Sequence, residues 1–358
     1  MKRSPARNAR KKYRSGSKTT INRSVRKKIV RIGLIVGVFL ISFLFLFSYT
    51  FFKYLNQKFA SALSSSSYSI QDDQIPTISY IVAKDLKSDP IVVKKVNFII
   101  FDKINKRVFV HDLPVNISYS LPGKFGSDTL EKTFALGGLN SDERLVSGAT
   151  AVNRSIFKLF GFKVDKFVLI DEKQEEFFDN IWREGGVFNL VSLKNVSNLG
   201  DSLKTDLDIR EFYDIISFVH SLPQDRISEV NNSPEDFFST SEFDNSIREF
   251  TYESFLAKER KNISVLNGTE SPGLAAFGTR VISNFGGRVV STQSTSKTYD
   301  KSVIIADDVN SQTVSFLSRV FKINSIIPKE EALGFLESEI DRSDVVVIFG
   351  FDTLGDLY

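Results

Sequence analysis

The sequence predicts a protein of mixed class, α/β and α+β: an N-terminal transmembrane helix, an α/β layered domain, and a C-terminal domain of ferredoxin-like βαββαβ order. Three observations in the 358-residue chain support this. An uncharged apolar run comes first. Helical and strand patterns then mix along residues 75–228, and residues 262–351 follow the order strand, helix, strand, strand, helix, strand. The length suffices for about two domains beside the apolar run.

The apolar run predicts a membrane anchor. Its 21 uncharged residues, Ile32 to Phe52, span about 31 Å as a helix and so match a bilayer core of about 30 Å. Residues 1–31 hold 13 Lys or Arg and no Asp or Glu, so the positive-inside rule places them in the cytoplasm and residues 53–358 outside. Ala60-Ser61-Ala62 resembles a signal-peptide cleavage site, but the apolar run is too long for such a peptide. We therefore expect a retained, single-pass helix in the cell membrane.

The composition excludes several kinds of site. Outside the basic tail the chain is acidic, with 34 Lys or Arg against 43 Asp or Glu. The tail has no nucleic-acid recognition motif, and topology and anionic lipids account for its charge, so we expect no nucleic-acid partner. The absence of Cys excludes disulfides and thiolate sites. The sequence has only two His residues, His111 and His220, so a metal site built from several His ligands is not expected.

Changes in composition divide the chain into six predicted segments, because Ser-rich and acidic stretches are typical of linkers. They are a basic cytoplasmic tail (1–31), a transmembrane helix (32–52), a Ser-rich stalk (53–74), a first outer domain (75–228), a linker with a short helix (229–261) and a C-terminal domain (262–351).

In the first outer domain, apolar patterns predict four strands and three helices. The strands are Ile78–Ala83, Val96–Phe101, Val108–Val110 and Phe167–Ile170, and the helices are Asp142–Phe160, Glu172–Trp182 and Ile209–His220.

In the C-terminal domain, an amphipathic stripe from Leu274 to Phe285 predicts a helix, and Val314 to Phe321 mark a second one. Ser271 is the expected N-cap of the first helix, with Pro272 at its first position. The predicted strands are Ile263–Leu266, Arg288–Gln293, Ser302–Ala306 and Val345–Phe349.

The C-terminal motifs resemble the LytR C-terminal domain of cell-envelope proteins. They are Val265-Leu266-Asn267-Gly268-Thr269, Ser271-Pro272-Gly273-Leu274-Ala275, the Gly286-Gly287-Arg288 start of a strand, and the closing run from Ser343 to Asp352. In that family, this domain has no assigned catalytic residues. The resemblance implies a bacterial envelope protein, with cell-wall polymer as the supposed ligand.

The middle region resembles a degenerate LytR-CpsA-Psr domain. The matching segments are Phe134–Gly138, Leu159–Phe162, Val164–Asp171 and Phe177–Val187. Active members of that family transfer glycopolymers from an undecaprenyl-pyrophosphate carrier to peptidoglycan, with Mg²⁺ and a cluster of Arg and Asp. Here that cluster is largely absent, since only Asp112 matches the family's Pro-Arg-Asp sequence.

The candidate site residues are therefore few. Asp112 is the catalytic candidate, with the capping of a turn as the alternative. Basic or titratable side chains on the neighbouring strands could bind an anionic glycan, or form a solvated strand edge. These ligand-binding candidates are Lys94, Lys95, Arg107 and His111, with Lys103 and Lys106 beside them.

In the C-terminal domain, Asn267 and Thr269 could line a ligand groove beside a helix N-terminus, or form only a tight turn. No metal site or resident cofactor is predicted, and Mg²⁺ enters only if the chain is an enzyme.

Two functions follow from the resemblances. The first is an extracytoplasmic binding or scaffold role toward cell-wall glycan or an envelope protein partner, with little catalysis. The second is a Mg²⁺-dependent glycopolymer transferase of the LytR-CpsA-Psr type, which acts on polyprenyl-pyrophosphate-linked polymers.

Overall fold

A computed structural model describes residues 23–55, 75–121, 126–139, 141–176, 202–231, 244–245, 248 and 255–353. Most of the predicted cytoplasmic tail and stalk lie outside the described residues. The same is true of residues 232–243 of the linker and of Phe177–Val187, one of the segments that carry the LytR-CpsA-Psr resemblance. The chain divides into two compact units, Met1–Leu55 and Asn56–Tyr358.

The first unit contains one long helix, α1 (Arg23–Leu55). Within it, Arg31–Thr50 is long and apolar enough to cross a membrane, judged by length and composition. The large apolar side chains along this stretch, such as Phe39 and Phe45, are exposed in the structure. The predicted N-terminal apolar helix is thus confirmed as a candidate membrane span, and its orientation stays a prediction.

The second unit begins with a six-stranded sheet and a separate hairpin. In chain order the strands are β1 (Thr77–Ala83), β2 (Val93–Asp102), β3 (Arg107–Leu113), β4 (Ser118–Ser120), β5 (Ser127–Thr129), β6 (Lys166–Asp171), β7 (Leu203–Thr205) and β8 (Ile227–Asn231). The sheet order is β7-β6-β1-β2-β3-β8, and β4 and β5 form a separate two-stranded sheet. β1 is parallel to β6 and β3 to β8, whereas β2 is antiparallel to both of its neighbours.

Among the described residues, three helices accompany this sheet: α2 (Leu130–Gly138), α3 (Arg144–Phe160) and α4 (Ile209–His220). Local chemistry fixes their ends. The Thr129 side chain caps α2, Gly161 ends α3 with a φ of 62°, and Asp208 forms a capping box with Glu211 at the start of α4. The predicted helices Asp142–Phe160 and Ile209–His220 are confirmed. Of the helix predicted over Glu172–Trp182, the described part begins with a 3₁₀ turn, Glu172–Gln174.

A five-stranded sheet follows. Its strands are β9 (Asn262–Asn267), β10 (Arg288–Ser294), β11 (Val303–Ala306), β12 (Ile326–Pro328) and β13 (Val345–Phe349). The helices are α5 (Phe255–Glu259), α6 (Leu274–Asn284), α7 (Gln312–Phe321) and α8 (Glu339–Arg342), with 3₁₀ turns at Gln224–Arg226 and Lys329–Glu331.

The order of this second sheet is β10-β9-β13-β11-β12. Strand β9 is parallel to both of its neighbours, and the central strand β13 is antiparallel to β11. The ferredoxin-like prediction has four strands and is not confirmed, because β12 is a fifth strand that pairs in parallel with β11. With only three residues, β12 shows no period that a sequence pattern could reveal.

One apolar core runs from the six-stranded sheet into the five-stranded sheet. Phe98 of β2 contacts Phe162, with ring centroids 5.6 Å apart, and Phe162 stacks on Phe285 at 4.0 Å. A smaller apolar cluster lies on the opposite face of the five-stranded sheet and includes Leu266, Ile305 and Ile348. A shared apolar core therefore joins the two sheets.

Candidate functional site

Four strands of the six-stranded sheet run in the same direction, since β1, β3, β6 and β8 are related by parallel pairings or by two antiparallel steps. Their carboxyl ends meet at one edge, which we call the first carboxyl edge. In open α/β sheets, ligands bind in the crevice outside the carboxyl ends of the strands. The polar side chains at this edge are therefore the first place to look for a site.

Four polar side chains meet near this edge, and we call them the Lys95 cluster: Lys95, Asn97, Asp112 and Glu175. The β2–β3 register places Asn97 opposite Asp112. Lys95 lies two residues from Asn97 and so projects from the same face of the sheet. Lys95 Nζ donates to Glu175 Oε1 at 2.9 Å. Glu175 directly follows the 3₁₀ turn Glu172–Gln174, so three chain segments build the cluster.

The electrostatics of the cluster are mixed rather than cationic. Burial raises the pKa of Asp112, nearby Lys95 acts in the opposite direction, and the charge of Glu175 raises that pKa further. Burial and the Asp112 charge also raise the pKa of Tyr119, whose hydroxyl donates to Pro114 O at 3.0 Å. One cation thus faces two carboxyl groups, so the cluster is poorly suited to hold a pyrophosphate.

Asn97 is the member of the cluster with unused bonding capacity. Its Oδ1 atom is buried and has no hydrogen-bond partner among the described residues. A buried amide oxygen without a partner costs stability, unless a bound molecule supplies a donor. The cluster therefore offers an acceptor at Asn97, acceptors at Asp112 and donors at Lys95.

His111 lies on the other face of the sheet from Asp112, because successive side chains alternate. Lys94 is the extra residue of a β-bulge, since Val93 pairs with Ala83 and Lys95 with Val82. His111 is 1% exposed, and its ring lies 5.7 Å from that of Phe109 and 5.8 Å from that of Phe160. Burial lowers the pKa of His111 to about 4, so the ring is neutral at pH 7. Lys94 is exposed. His111 is thus a core side chain, and it cannot transfer protons beside Asp112.

The remaining basic candidates lie at the opposite end of the β2–β3 hairpin. Arg107 Nε donates to the buried Asp102 at 3.0 Å, and Lys103 and Lys106 belong to the turn between the strands. Five residues of extended strand, about 17 Å, separate Arg107 from Asp112. Of the predicted residues at this sheet, the structure brings together only Lys95 and Asp112.

In the five-stranded sheet, Asn267 and Thr269 bond within their own turn. Asn267 Oδ1 accepts from Thr269 N at 3.0 Å and from its hydroxyl at 2.8 Å, and Asn267 Nδ2 donates to Ser271 O at 2.8 Å. Thr269 Oγ1 in turn accepts from Ser271 N at 3.1 Å. Both side chains are buried, so this geometry describes a tight turn.

The start of α6 also differs from the prediction. The helix begins at Leu274, and its N-cap is Gly273 with a φ of 85°. Ser271 as N-cap and Pro272 as first helical residue are therefore wrong. The reason is that the backbone N–H and C=O of Ser271 are both bound to the preceding turn. Gly273 adopts the left-handed conformation that joins this turn to the helix.

Sequence reasoning missed Asn97 and Glu175. The signal for Asn97 was available, because a hairpin that pairs Asp102 with Arg107 also pairs Asn97 with Asp112. No such signal existed for Glu175, which lies 80 residues from its partner Lys95.

The Mg²⁺ that the transferase alternative implies does not fit this arrangement. Among the described residues, no group of three or more His, Cys, Asp or Glu is placed to hold a metal ion. Asp112 and Glu175 are two carboxyl groups, and Glu175 is already bound to Lys95. Hard cations take several oxygen ligands, so we route no step through a metal here.

No model of a protein family and no curated protein matches the sequence. Several solved structures are similar to it. TagV of Bacillus subtilis is 9% identical with a TM-score of 0.39, covering 50% of this chain and 98% of its own. A transcriptional regulator of Enterococcus faecalis is 13% identical with a TM-score of 0.35, covering 49% and 87%. The LytR-CPS2A-psr family protein TagT, with bound octaprenyl pyrophosphate lipid, is 11% identical with a TM-score of 0.33, covering 50% and 92%.

Proposed function

We propose that the chain is a single-pass protein of the cell membrane, with its N-terminus in the cytoplasm and residues 53–358 outside. Its outer part binds cell-wall glycan or an envelope protein partner in a scaffold role. The apolar helix Arg31–Thr50 supports the anchor, and the basic residues before it support the orientation. The sequence resemblances to the LytR C-terminal domain and to a degenerate LytR-CpsA-Psr domain support the envelope location.

The Lys95 cluster is the observation that favours binding over transfer. A leaving pyrophosphate gathers negative charge and needs several converging cations. Here the ammonium of Lys95 is compensated by Glu175 at 2.9 Å, and Arg107 lies at the far end of the hairpin. Hydroxyl and amide groups of a glycan, by contrast, both donate and accept hydrogen bonds. They suit a cluster that combines carboxyl groups, an amide and one ammonium.

Co-sedimentation of the full chain in detergent with purified cell-wall sacculi tests this proposal. Lys95→Gln removes the central ammonium charge, and we expect sacculus binding to weaken about tenfold, the loss typical of one charged hydrogen bond. Lys94→Gln is the matched control, because this neighbouring lysine is exposed and is not part of the Lys95 cluster. No sedimentation above a control protein, or equal losses in the two variants, would count against the proposal.

A second candidate function is glycopolymer transfer from a polyprenyl-pyrophosphate carrier. Asp112 favours it, since a half-buried carboxyl group with a raised pKa is a better proton acceptor than an exposed one. In that case Asp112 takes the proton of the attacking glycan hydroxyl, whose oxygen forms an ester bond with the phosphorus that carries the polymer while the phosphoanhydride bond to the carrier breaks. The polyprenyl phosphate leaves.

Octaprenyl pyrophosphate, the lipid bound to TagT, is the probe for this second function. The full chain would be incubated with this lipid and Mg²⁺, and phosphate release measured against Asp112→Asn. Release that the variant abolishes supports a transferase. Equal background rates for the two proteins exclude a catalytic role of Asp112 on this lipid.

A further inference from the structure

The carboxyl end of α3 is held by three side chains from outside the six-stranded sheet, which we call the α3 latch: Arg280 and Asn284 of α6, and Asp244. Arg280 uses all three of its nitrogen atoms. Its Nε donates to both Asp244 oxygens, at 3.1 and 2.8 Å, and its Nη2 donates to Asp244 Oδ1 at 2.9 Å. Its Nη1 donates to Leu159 O at 2.8 Å. This forked arrangement requires a guanidinium group.

Asn284 completes the latch from the next turn of α6. Its Nδ2 donates to Phe160 O at 3.0 Å and to Asp244 Oδ1 at 3.1 Å. The last carbonyl groups of a helix lack partners within the helix and carry its negative dipole end. In α3, two of these carbonyl groups, those of Leu159 and Phe160, accept hydrogen bonds from side chains of α6.

Space at this junction is tight, and apolar contacts flank it. A Cβ atom on Gly161 would lie 3.2 Å from Asn284 Nδ2 and 3.5 Å from Arg280 Cγ. Phe157 of α3 meets Phe277 of α6 edge to face, with centroids 5.3 Å apart. Polar and apolar contacts thus join the same two helices, and Asp244 binds both latch side chains from the segment between the two sheets.

We infer that the α3 latch makes the two sheets one cooperative body, so that the last turn of α3 and the five-stranded sheet open together. The guanidinium of Arg280 is the key group, because it bonds Asp244 and α3 at once. Loss of the fork leaves Leu159 O without its donor, and Asp244 with the Asn284 amide alone, in a mostly buried site. This inference does not depend on the proposed glycan ligand.

Native-state hydrogen exchange on the full chain in detergent tests the inference. In the wild type, we expect the amides of Ile156–Gly161 and of Asn262–Asn267 to exchange through one shared opening. Arg280→Lys keeps the charge but removes the fork, and we expect protection of both segments to fall about tenfold or more. Asp244→Asn should give a smaller loss in the same two segments, because Asn retains one acceptor.

Arg288→Lys is the matched control, since Arg288 is an exposed residue of the edge strand β10. It should leave protection within about twofold of the wild type, as surface changes usually do. The inference is overturned if the two segments exchange independently in the wild type. It is also overturned if Arg280→Lys and Asp244→Asn change the last turn of α3 no more than Arg288→Lys does.

Discussion

The polar groups at the carboxyl edges of the two sheets differ in whether their hydrogen bonds are satisfied within the protein. In the five-stranded sheet, β9, β10 and β13 end together, and the Asn267–Thr269 turn there bonds its own side chains. In the six-stranded sheet, the Lys95 cluster holds a buried Asn97 oxygen with no hydrogen-bond partner among the described residues. It also holds Asp112, a carboxyl group whose pKa is raised by burial.

The more conspicuous motif is therefore not the better candidate for a binding site. The Asn-Gly-Thr sequence is the more conspicuous motif, yet its atoms are used to shape a turn. The Lys95 cluster has no motif, but it has hydrogen-bonding groups that a ligand can satisfy. Single substitutions at the two edges test this difference.

Gly268→Ala should have the largest effect on stability. A Cβ atom on Gly268 would lie 2.7 Å from Phe349 O and 2.9 Å from Tyr299 Cδ2, and the backbone oxygen belongs to a buried strand. We expect a loss of about 3 kcal/mol in the free energy of unfolding, measured by urea titration. Gly334→Ala is the control, because nothing lies within 4 Å of its added methyl group. Equal midpoints for the two variants would mean that the turn is not closely packed.

His111→Phe should remove an acid sensitivity of the six-stranded sheet. The pKa of His111 falls from 6.5 to about 4 on burial, so between these values the unfolded chain binds the proton more readily than the folded chain. The contribution of the neutral His111 ring to the free energy of unfolding is fully present above pH 6.5 and is lost as the pH falls toward 4. We expect the wild type to lose about 2 kcal/mol more than His111→Phe between pH 7 and pH 5. Parallel stability curves for the two proteins would contradict a buried, neutral His111.

Long periodic segments could be predicted from the sequence, because their side chains repeat at the period of the structure. Helix α4 and strand β13 begin and end where the pattern placed them. Strand β7 was not predicted, because three residues show no period. Its place in the sheet depends on pairing with β6, which is distant in sequence.

The candidate site was predictable only in part, because strand alternation decides which side chains share a face. His111 and Asp112 are neighbours in sequence, and a prediction from proximity places them together. The pleat sends them to opposite faces, and the packing of Phe109 and Phe160 then fixes His111 in the core. Glu175 reaches Lys95 only through the tertiary fold.

Asn267→Ala should cost moderate stability without changing sacculus binding. The change removes the acceptor for two donors of Thr269 and the donor to Ser271. We expect a loss of about 1.5 kcal/mol by urea titration. Thr298→Ala, an exposed position on a nearby loop, is a control for stability. A large loss of sacculus binding in folded Asn267→Ala would place the ligand at this turn and not at the Lys95 cluster.

Lys95→Gln should have the smallest effect on stability. The Lys95–Glu175 pair is partly exposed, at 34% and 27% of the two side chains, and such pairs contribute less than about 1 kcal/mol. Differential scanning calorimetry should therefore give nearly the wild-type melting temperature. A variant that melts far below the wild type would show that Lys95 serves the fold, and its binding defect could then not be assigned to a ligand contact.

The most direct test of the central claim is a hydrogen-exchange footprint of soluble glycan strands, released from sacculi, on the full chain in detergent. We predict that the glycan slows exchange in residues 93–97 and 109–113 of the six-stranded sheet, and leaves residues 267–273 unchanged. Slowed exchange at residues 267–273 without any change at the Lys95 cluster would contradict the account.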